Sequence, residues 1–170
     1  MALVSATLAS GLEALTATDN VATAIDRIAA AFVDYMAGAS LLGVPAVSGV
    51  LSGAPRSAMV GAMAALNSVN GAALAVSSGI SAFWSAMIGT EVSIWLIPPP
   101  AVVIPGTLII PPGLAGLQSA IQGAFDANVA AGATLSASAT TLATAIHATQ
   151  LGATVQVQTP PAAPVVTPIL

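Results

Sequence analysis

The chain has no lysine and no cysteine, and its only two cations are Arg27 and Arg56. Charged residues make up 5% of its 170 residues, against about 25% in typical globular proteins. Two arginines cannot neutralise a row of phosphates, so binding of nucleic acid through charge is not expected. The missing cysteines exclude a disulfide framework and a thiolate metal site. The missing lysine excludes a lysine-containing phosphate loop.

Hydrophobic residues are abundant instead, at 56%, and the net charge is −4. Water-facing positions normally carry charge, so alanine, serine, threonine and glycine must cover most of the exterior here. Five of the eight charged residues fall in the first fifth of the chain, which we therefore expect to be its most water-exposed part: Glu13, Asp19, Asp26, Arg27 and Asp34. The first residues lack a basic stretch, so a secretory signal is not expected.

Helical periodicity predicts a mainly α fold, a small bundle of about five helices. In the clearest stretch, capped by Thr18 or Asp19 and ending at Gly38, apolar residues recur at helical spacing from Val21 to Tyr35. We divide the chain into an N-terminal helical segment (1–38), a Gly/Pro loop (39–56), a helical domain (57–159) and an extended C-terminal arm (160–170). Helical stretches are predicted within these units at 3–16, 57–68, 72–88, 113–130 and 134–149.

The last two stretches are separated by Gly132 and are expected to form an antiparallel hairpin. Apolar residues mark the inward face of two of the helices. In the 72–88 stretch they are Val76, Ile80, Phe83, Trp84 and Met87, and in the 134–149 stretch they are Leu135, Ala139, Leu142 and Ile146.

Proline-rich stretches interrupt the helical pattern at two places. Residues 91–112 are β-branched and rich in proline, which fixes φ and removes a backbone donor, so we expect short strands or extended pieces there. Residues 153–159 alternate valine with glutamine, which is a strand signal. The uncharged tail, residues 160–170, contains prolines throughout and cannot be a helix. It is predicted to be either disordered or an extended arm that lies on a neighbour.

Two environments would remove the need for surface charge, namely lipid and contact with other subunits. The uncharged stretches on either side of Glu91 are long enough to cross a bilayer. Their alanine, serine and glycine insert poorly, however, and non-helical proline-rich backbone lacks hydrogen-bond partners in lipid. Small residues instead allow helices to pack closely, so assembly is favoured. Membrane association remains the alternative.

Catalysis is not expected from this sequence. His147 is the only histidine, and the nearest acid along the chain is Asp126. The spacing of Asp19, Asp26 and Asp34 puts them along one side of a helix, which is typical of a solvated face rather than of two acids across a cleft. We therefore predict no enzyme activity, no cofactor, no metal and no small-molecule substrate.

The second half has a recognisable order of segments. An alanine-rich helix with FWSAM is followed by a Pro/Val/Ile stretch ending in PPGL and by a helix with AF.AN; a helix ending in AIHATQ and a TVQV strand come next. Over about residues 74–158 this order resembles small alanine-rich structural proteins of tailed bacteriophages and phage-derived tail particles. The resemblance implies a virion or phage-like particle made in a host cytoplasm, with other copies and other structural proteins as partners.

The sequence thus predicts a non-catalytic structural subunit of a multi-copy assembly; the alternative is a membrane-associated protein that inserts during delivery. Tryptophans and the apolar residues of the extended segments are the candidate interface side chains. They are Trp84, Trp95, Ile97, Ile104, Ile109, Ile110, Val155, Val157, Val165, Val166, Ile169 and Leu170.

Overall fold

A computed structural model of the chain is mainly helical over the residues it describes, as predicted. These are 3–15, 19–38, 40–41, 44–45, 51, 53–66, 71–87, 91–96, 102–109, 114–150, 154–157 and 165–168, with only the backbone described for the strands. About five helices were expected, and the described residues form six. They are α1 Ser5–Glu13, α2 Val21–Ala37, α3 Ala54–Leu66, α4 Gly71–Met87, α5 Leu114–Ala131 and α6 Leu135–Gln150.

The described strands are short and antiparallel. The β1 and β2 strands, Ser40–Leu41 and Val44–Pro45, pair inside the predicted 39–56 loop. A second sheet has the order β3-β4-β5-β6. Its strands are Glu91–Leu96, Val102–Ile109, Thr154–Val157 and Val165–Pro168, so β6 of the predicted arm pairs with β5 of the same chain.

The ends of α2 and α3 differ in part from the prediction. Asn20, rather than Asp19, caps α2: its Oδ1 accepts a hydrogen bond of 2.9 Å from the Thr23 N–H. Asp19 lies just before the helix and pairs instead with Arg27 at 3.2 Å. Gly38 is the C-cap, as predicted. The third helix begins earlier than expected because a proline in its first turn, Pro55, needs no helical hydrogen-bond acceptor.

The six described helices pack as a closed ring. Each helix contacts the next one along the chain, and α6 contacts α1. The N-terminal helices therefore share one continuous hydrophobic core with the later helices. Each helix turns an apolar stripe towards this core, and burial of the stripes holds the helices together.

Aromatic side chains fill the middle of this core. Phe32 of α2 meets Phe83 of α4 edge to face, with ring centroids 5.1 Å apart. Tyr35 and Trp84 flank this pair, and each is 1% exposed. Edge-to-face contacts of this type add to the stabilisation that comes from burial alone.

Glycines allow two helix pairs to approach closely. A Cβ built on Gly11 of α1 would lie 2.5 Å from the Cβ of Ala31 on α2. A Cβ on Gly79 of α4 would collide with the side chain of Met63 on α3. The glycine inside the first predicted helix, which lowers helix propensity, is therefore explained by packing.

Candidate interaction face

The α5–α6 hairpin is built around a turn in which Gly132 has a φ of +56°, a left-handed conformation that favours glycine. The Ala133 N–H donates to the Asn128 carbonyl at 3.0 Å and so closes the end of α5. The Thr134 hydroxyl accepts a hydrogen bond of 3.3 Å from the Ala137 N–H and caps α6. The antiparallel hairpin predicted from the sequence is thus present.

The solvent-exposed side of this hairpin, which we call the hairpin face, is almost free of charge. Between residues 114 and 150 the only acid is Asp126, and there is no lysine or arginine. The Gln122 side-chain amide donates to the Asp126 carboxylate at 2.9 Å. A surface of this kind loses little charge hydration when another surface covers it.

The threonine hydroxyls on the hairpin face are already hydrogen-bonded within α6. The hydroxyls of Thr140, Thr141 and Thr144 each donate to a carbonyl four residues earlier, at 2.9, 2.9 and 2.8 Å. An unpaired hydroxyl would cost about 1–3 kcal/mol to bury. Because these donors have partners in their own helix, the face can be covered without leaving them unpaired.

An open cavity of about 390 Å³ lies beside the hairpin turn, and apolar side chains form most of its wall. The wall is formed from four helices by Leu12, Leu15, Ala72, Phe125, Asn128, Val129, Leu135, Ser138, Ala139 and Leu142. Val129 is 81% exposed and Leu135 is 54% exposed, so two large apolar side chains project at its lip. Concave and convex apolar surfaces are therefore adjacent on one patch.

Polar contacts fix the walls of this cavity. The Asn128 side-chain amide donates to the Ser138 carbonyl at 3.3 Å and joins α5 to α6. The Ser136 hydroxyl donates to the Glu13 carboxylate at 2.5 Å and joins α6 to α1. These two contacts join α5 and α1 to α6 beside the cavity.

Trp84, one of the predicted interface residues, lies in the hydrophobic core. Its Nε1–H donates to Oε1 of Gln150 at 2.6 Å, and the Gln150 side chain is fully buried. Trp84 is therefore not available to a neighbouring protein. The other candidate side chains lie outside the described ones: Trp95, Ile97, Ile104, Ile109, Ile110, Val155, Val157, Val165, Val166, Ile169 and Leu170.

The single histidine has an internal partner. His147 lies in the last turn of α6, and its Nδ1 shares a hydrogen bond of 2.8 Å with the Tyr35 hydroxyl. Burial raises the pKa of the Tyr35 phenol well above its usual range, because desolvation disfavours the phenolate. The contact joins α6 to α2 across the core, and its visible role is structural.

The acids of the N-terminal helices are dispersed. Asp26 pairs with Arg56 at 2.5 Å, and Asp19 pairs with Arg27 on a different side of α2. Only Asp26 and Asp34 of the predicted stripe belong to α2 itself. Among the described residues, no three histidine, aspartate or glutamate side chains are grouped closely enough to hold a metal ion.

Comparison with known proteins adds no relative. No protein-family model, no curated protein and no solved structure matches this chain. Within the part of the chain that the structure describes, none of the helices combines the length and the apolar character needed to cross a bilayer.

Proposed function

We propose that this chain is a non-catalytic structural subunit of a large multi-copy assembly, of the kind that forms phage virions and phage-tail-like particles. Other copies and other structural proteins of the assembly would be its partners. The observation that carries the proposal is the hairpin face, where two helices present alanine, glycine and threonine to solvent with one acid between residues 114 and 150.

The chemistry of the exposed surface supports its coverage by neighbouring subunits. An exterior without lysine and with few acids has little of the strongly hydrated surface that keeps free domains apart. The back-bonded threonines of α6 can be buried without losing hydrogen bonds. Both properties suit a subunit that is surrounded by neighbours, because desolvating this surface costs little.

The Pro-rich segments are the second group of candidate contacts with adjacent subunits. Residues 91–112 and 153–170 are rich in β-branched residues and proline and contain a single charge, Glu91. Their described strands form one sheet with β3 and β6 at its edges, and an edge strand is suited to strand addition by an adjacent subunit. The candidate contacts there are the valines, isoleucines and other apolar residues named from the sequence.

The proposal is tested by the mass of the purified full chain in buffer, measured by light scattering after size exclusion, with and without a nonionic detergent. A defined oligomer without detergent is expected. A monomer that stays stable on dilution would overturn the proposal. Recovery only in micelles would also overturn it and would favour the membrane-associated alternative.

A further inference from the structure

We propose that the dipeptide of Asn70 and Gly71 is a self-modification site, at which the Asn70 side-chain amide becomes a carboxylate without an enzyme. The Gly71 backbone nitrogen gives its proton to hydroxide and attacks the side-chain carbonyl carbon of Asn70. The new C–N bond closes a cyclic imide, and the side-chain nitrogen takes a proton from water and leaves as ammonia. Water then opens the imide at either of its carbonyls, which yields aspartate or isoaspartate.

The sequence distinguishes Asn70 from the other asparagines of the chain. Asparagine is a thermally labile residue, and attack by a neighbouring group is fast because the two reacting atoms are held in one chain. A side chain on the following residue hinders the attacking nitrogen, and glycine has none. Asn70 is the only one of the four asparagines that is followed by glycine, since Asn20 and Asn128 precede valine and Asn67 precedes serine.

The structure leaves the attacking nitrogen accessible. Gly71 is the first residue of α4 and is exposed to solvent. The first N–H groups of a helix have no acceptor within that helix, so this nitrogen lies outside the helical hydrogen-bond ladder. Among the described residues, no atom lies within 4 Å of the position that a Cβ on Gly71 would take. The φ of Gly71 is +81°, which also favours glycine at this position.

The same structure protects the two asparagines whose surroundings it describes. The Oδ1 atom of Asn20 accepts a hydrogen bond of 2.9 Å from the Thr23 N–H, which holds that side chain at the start of α2. The Asn128 amide donates to the Ser138 carbonyl at 3.3 Å. Asn128 also lies inside α5, where the backbone N–H of the next residue is bonded within the helix. Neither side chain is therefore free to react with the following nitrogen.

The modification changes the charge of an almost uncharged part of the chain. No charged residue occurs between Arg56 and Glu91, and conversion of Asn70 adds one negative charge there. That charge directly precedes α4, and the N-terminal end of a helix favours negative charge. Ala72, two residues further on, belongs to the wall of the apolar cavity. Isoaspartate also lengthens the main chain by one carbon between α3 and α4.

The test follows the full chain during incubation in warm buffer at about pH 6 and about pH 9. Isoelectric focusing detects the added negative charge. Peptide mass mapping identifies the converted asparagine, and electron-transfer fragmentation separates aspartate from isoaspartate. We expect an acidic form that accumulates much faster at the higher pH, because hydroxide removes the proton from the Gly71 nitrogen. All of the early conversion should map to Asn70.

Asn70→Gln and Asn67→Gln are the matched variants. Glutamine keeps an uncharged amide at either position, but its longer side chain must close a larger ring. Asn70→Gln should therefore lose the acidic form, whereas Asn67→Gln should keep it at the wild-type rate. Circular dichroism compares the helical content of the variants, and peptide mapping of the wild type is decisive even where a variant fails to fold.

Three results would overturn the inference. The first is a wild-type chain that stays unconverted at about pH 9. The second is early conversion that maps to another asparagine or persists in Asn70→Gln. The third is conversion of Asn70 in urea but not in the folded chain, which would show that the fold blocks the reaction.

Discussion

The N-terminal helices and the α5–α6 hairpin meet solvent with different chemistry. In the first region both arginines connect one helix to another segment: Arg56 of α3 pairs with Asp26 of α2, and Arg27 of α2 donates to the Ala14 carbonyl after α1. The hairpin uses no ion pair and relies on a glycine turn, a threonine cap and back-bonded hydroxyls. The comparison shows that two helices can be held together without ion pairs. Their outer side is then free of charge and available to a neighbour.

The largest expected change in the free energy of unfolding distinguishes the inner side of the hairpin from its outer side. Ile121 is fully buried and Val129 is 81% exposed, and both belong to α5. Ile121→Ala should lower the free energy of unfolding by about 2–5 kcal/mol, whereas Val129→Ala should change it by less than about 0.5 kcal/mol. Urea unfolding, extrapolated to low protein concentration, measures both. Similar decreases in the free energy of unfolding would mean that the outer side stabilises the subunit itself. The distinction between a packed inner side and a free outer side would then be wrong.

Two glycine-to-alanine substitutions compare a packed helix surface with an exposed one. Gly11→Ala places a methyl group against Ala31 and should destabilise the fold by about 1–3 kcal/mol. Gly123→Ala, on the exposed side of α5, meets no atom within 4 Å and should stabilise by about 0.5–1 kcal/mol through helix propensity. Thermal unfolding of the two variants checks the opposite signs. A Gly11→Ala protein as stable as the wild type would show that α1 and α2 can separate at no cost.

The smallest expected change in stability involves the hydrogen bond between Tyr35 and His147, which joins the two regions. Tyr35 is the only tyrosine, and no lysine or cysteine is present, so in the unfolded chain it is the one side chain that titrates near pH 10. The unfolded chain releases this proton near pH 10, whereas burial keeps it bound in the folded chain. The contribution of Tyr35 to stability should therefore be constant below about pH 10 and fall by about 1.4 kcal/mol per pH unit above it.

Urea unfolding at pH 9 and pH 11, with tyrosinate absorbance as a second readout, measures this fall. The matched control is Tyr35→Phe, which loses the hydrogen bond to His147 and should be less stable by about 1 kcal/mol at pH 9. It should show no further loss up to pH 11. A fall of the same size in the control would assign the alkaline effect to something other than Tyr35.

Helix positions and inward faces followed well from the sequence. The predicted apolar face of α4, from Val76 to Met87, is buried throughout, and Gly38 and Gly132 stand at the predicted helix ends. Periodicity succeeds here because burial of one stripe decides the orientation of a helix. It failed at Leu135, which lies on the apolar stripe of α6 but projects beyond the edge of the core and is 54% exposed.

Contacts between distant segments could not be predicted in the same way. Periodicity shows which side of a helix turns inward but not which helix it meets, so the pairing of Trp84 with Gln150 and the closure of α6 on α1 carried no sequence signal. The cavity belongs to this class, since its walls come from four helices. Val129 could have been noticed as a lone large apolar residue in an otherwise small-residue stretch of α5.

Closure of the ring by α6 has a consequence for biosynthesis. The apolar side of α1 is made first, but the helix that packs on it emerges from the ribosome roughly 10 s later at ordinary elongation rates. Throughout that interval Leu8 and Leu12 lack their final cover on a nascent chain with few charges to keep it apart from others. We therefore expect the risk of wrong apolar pairing at α1 to be greatest while the chain is still being made.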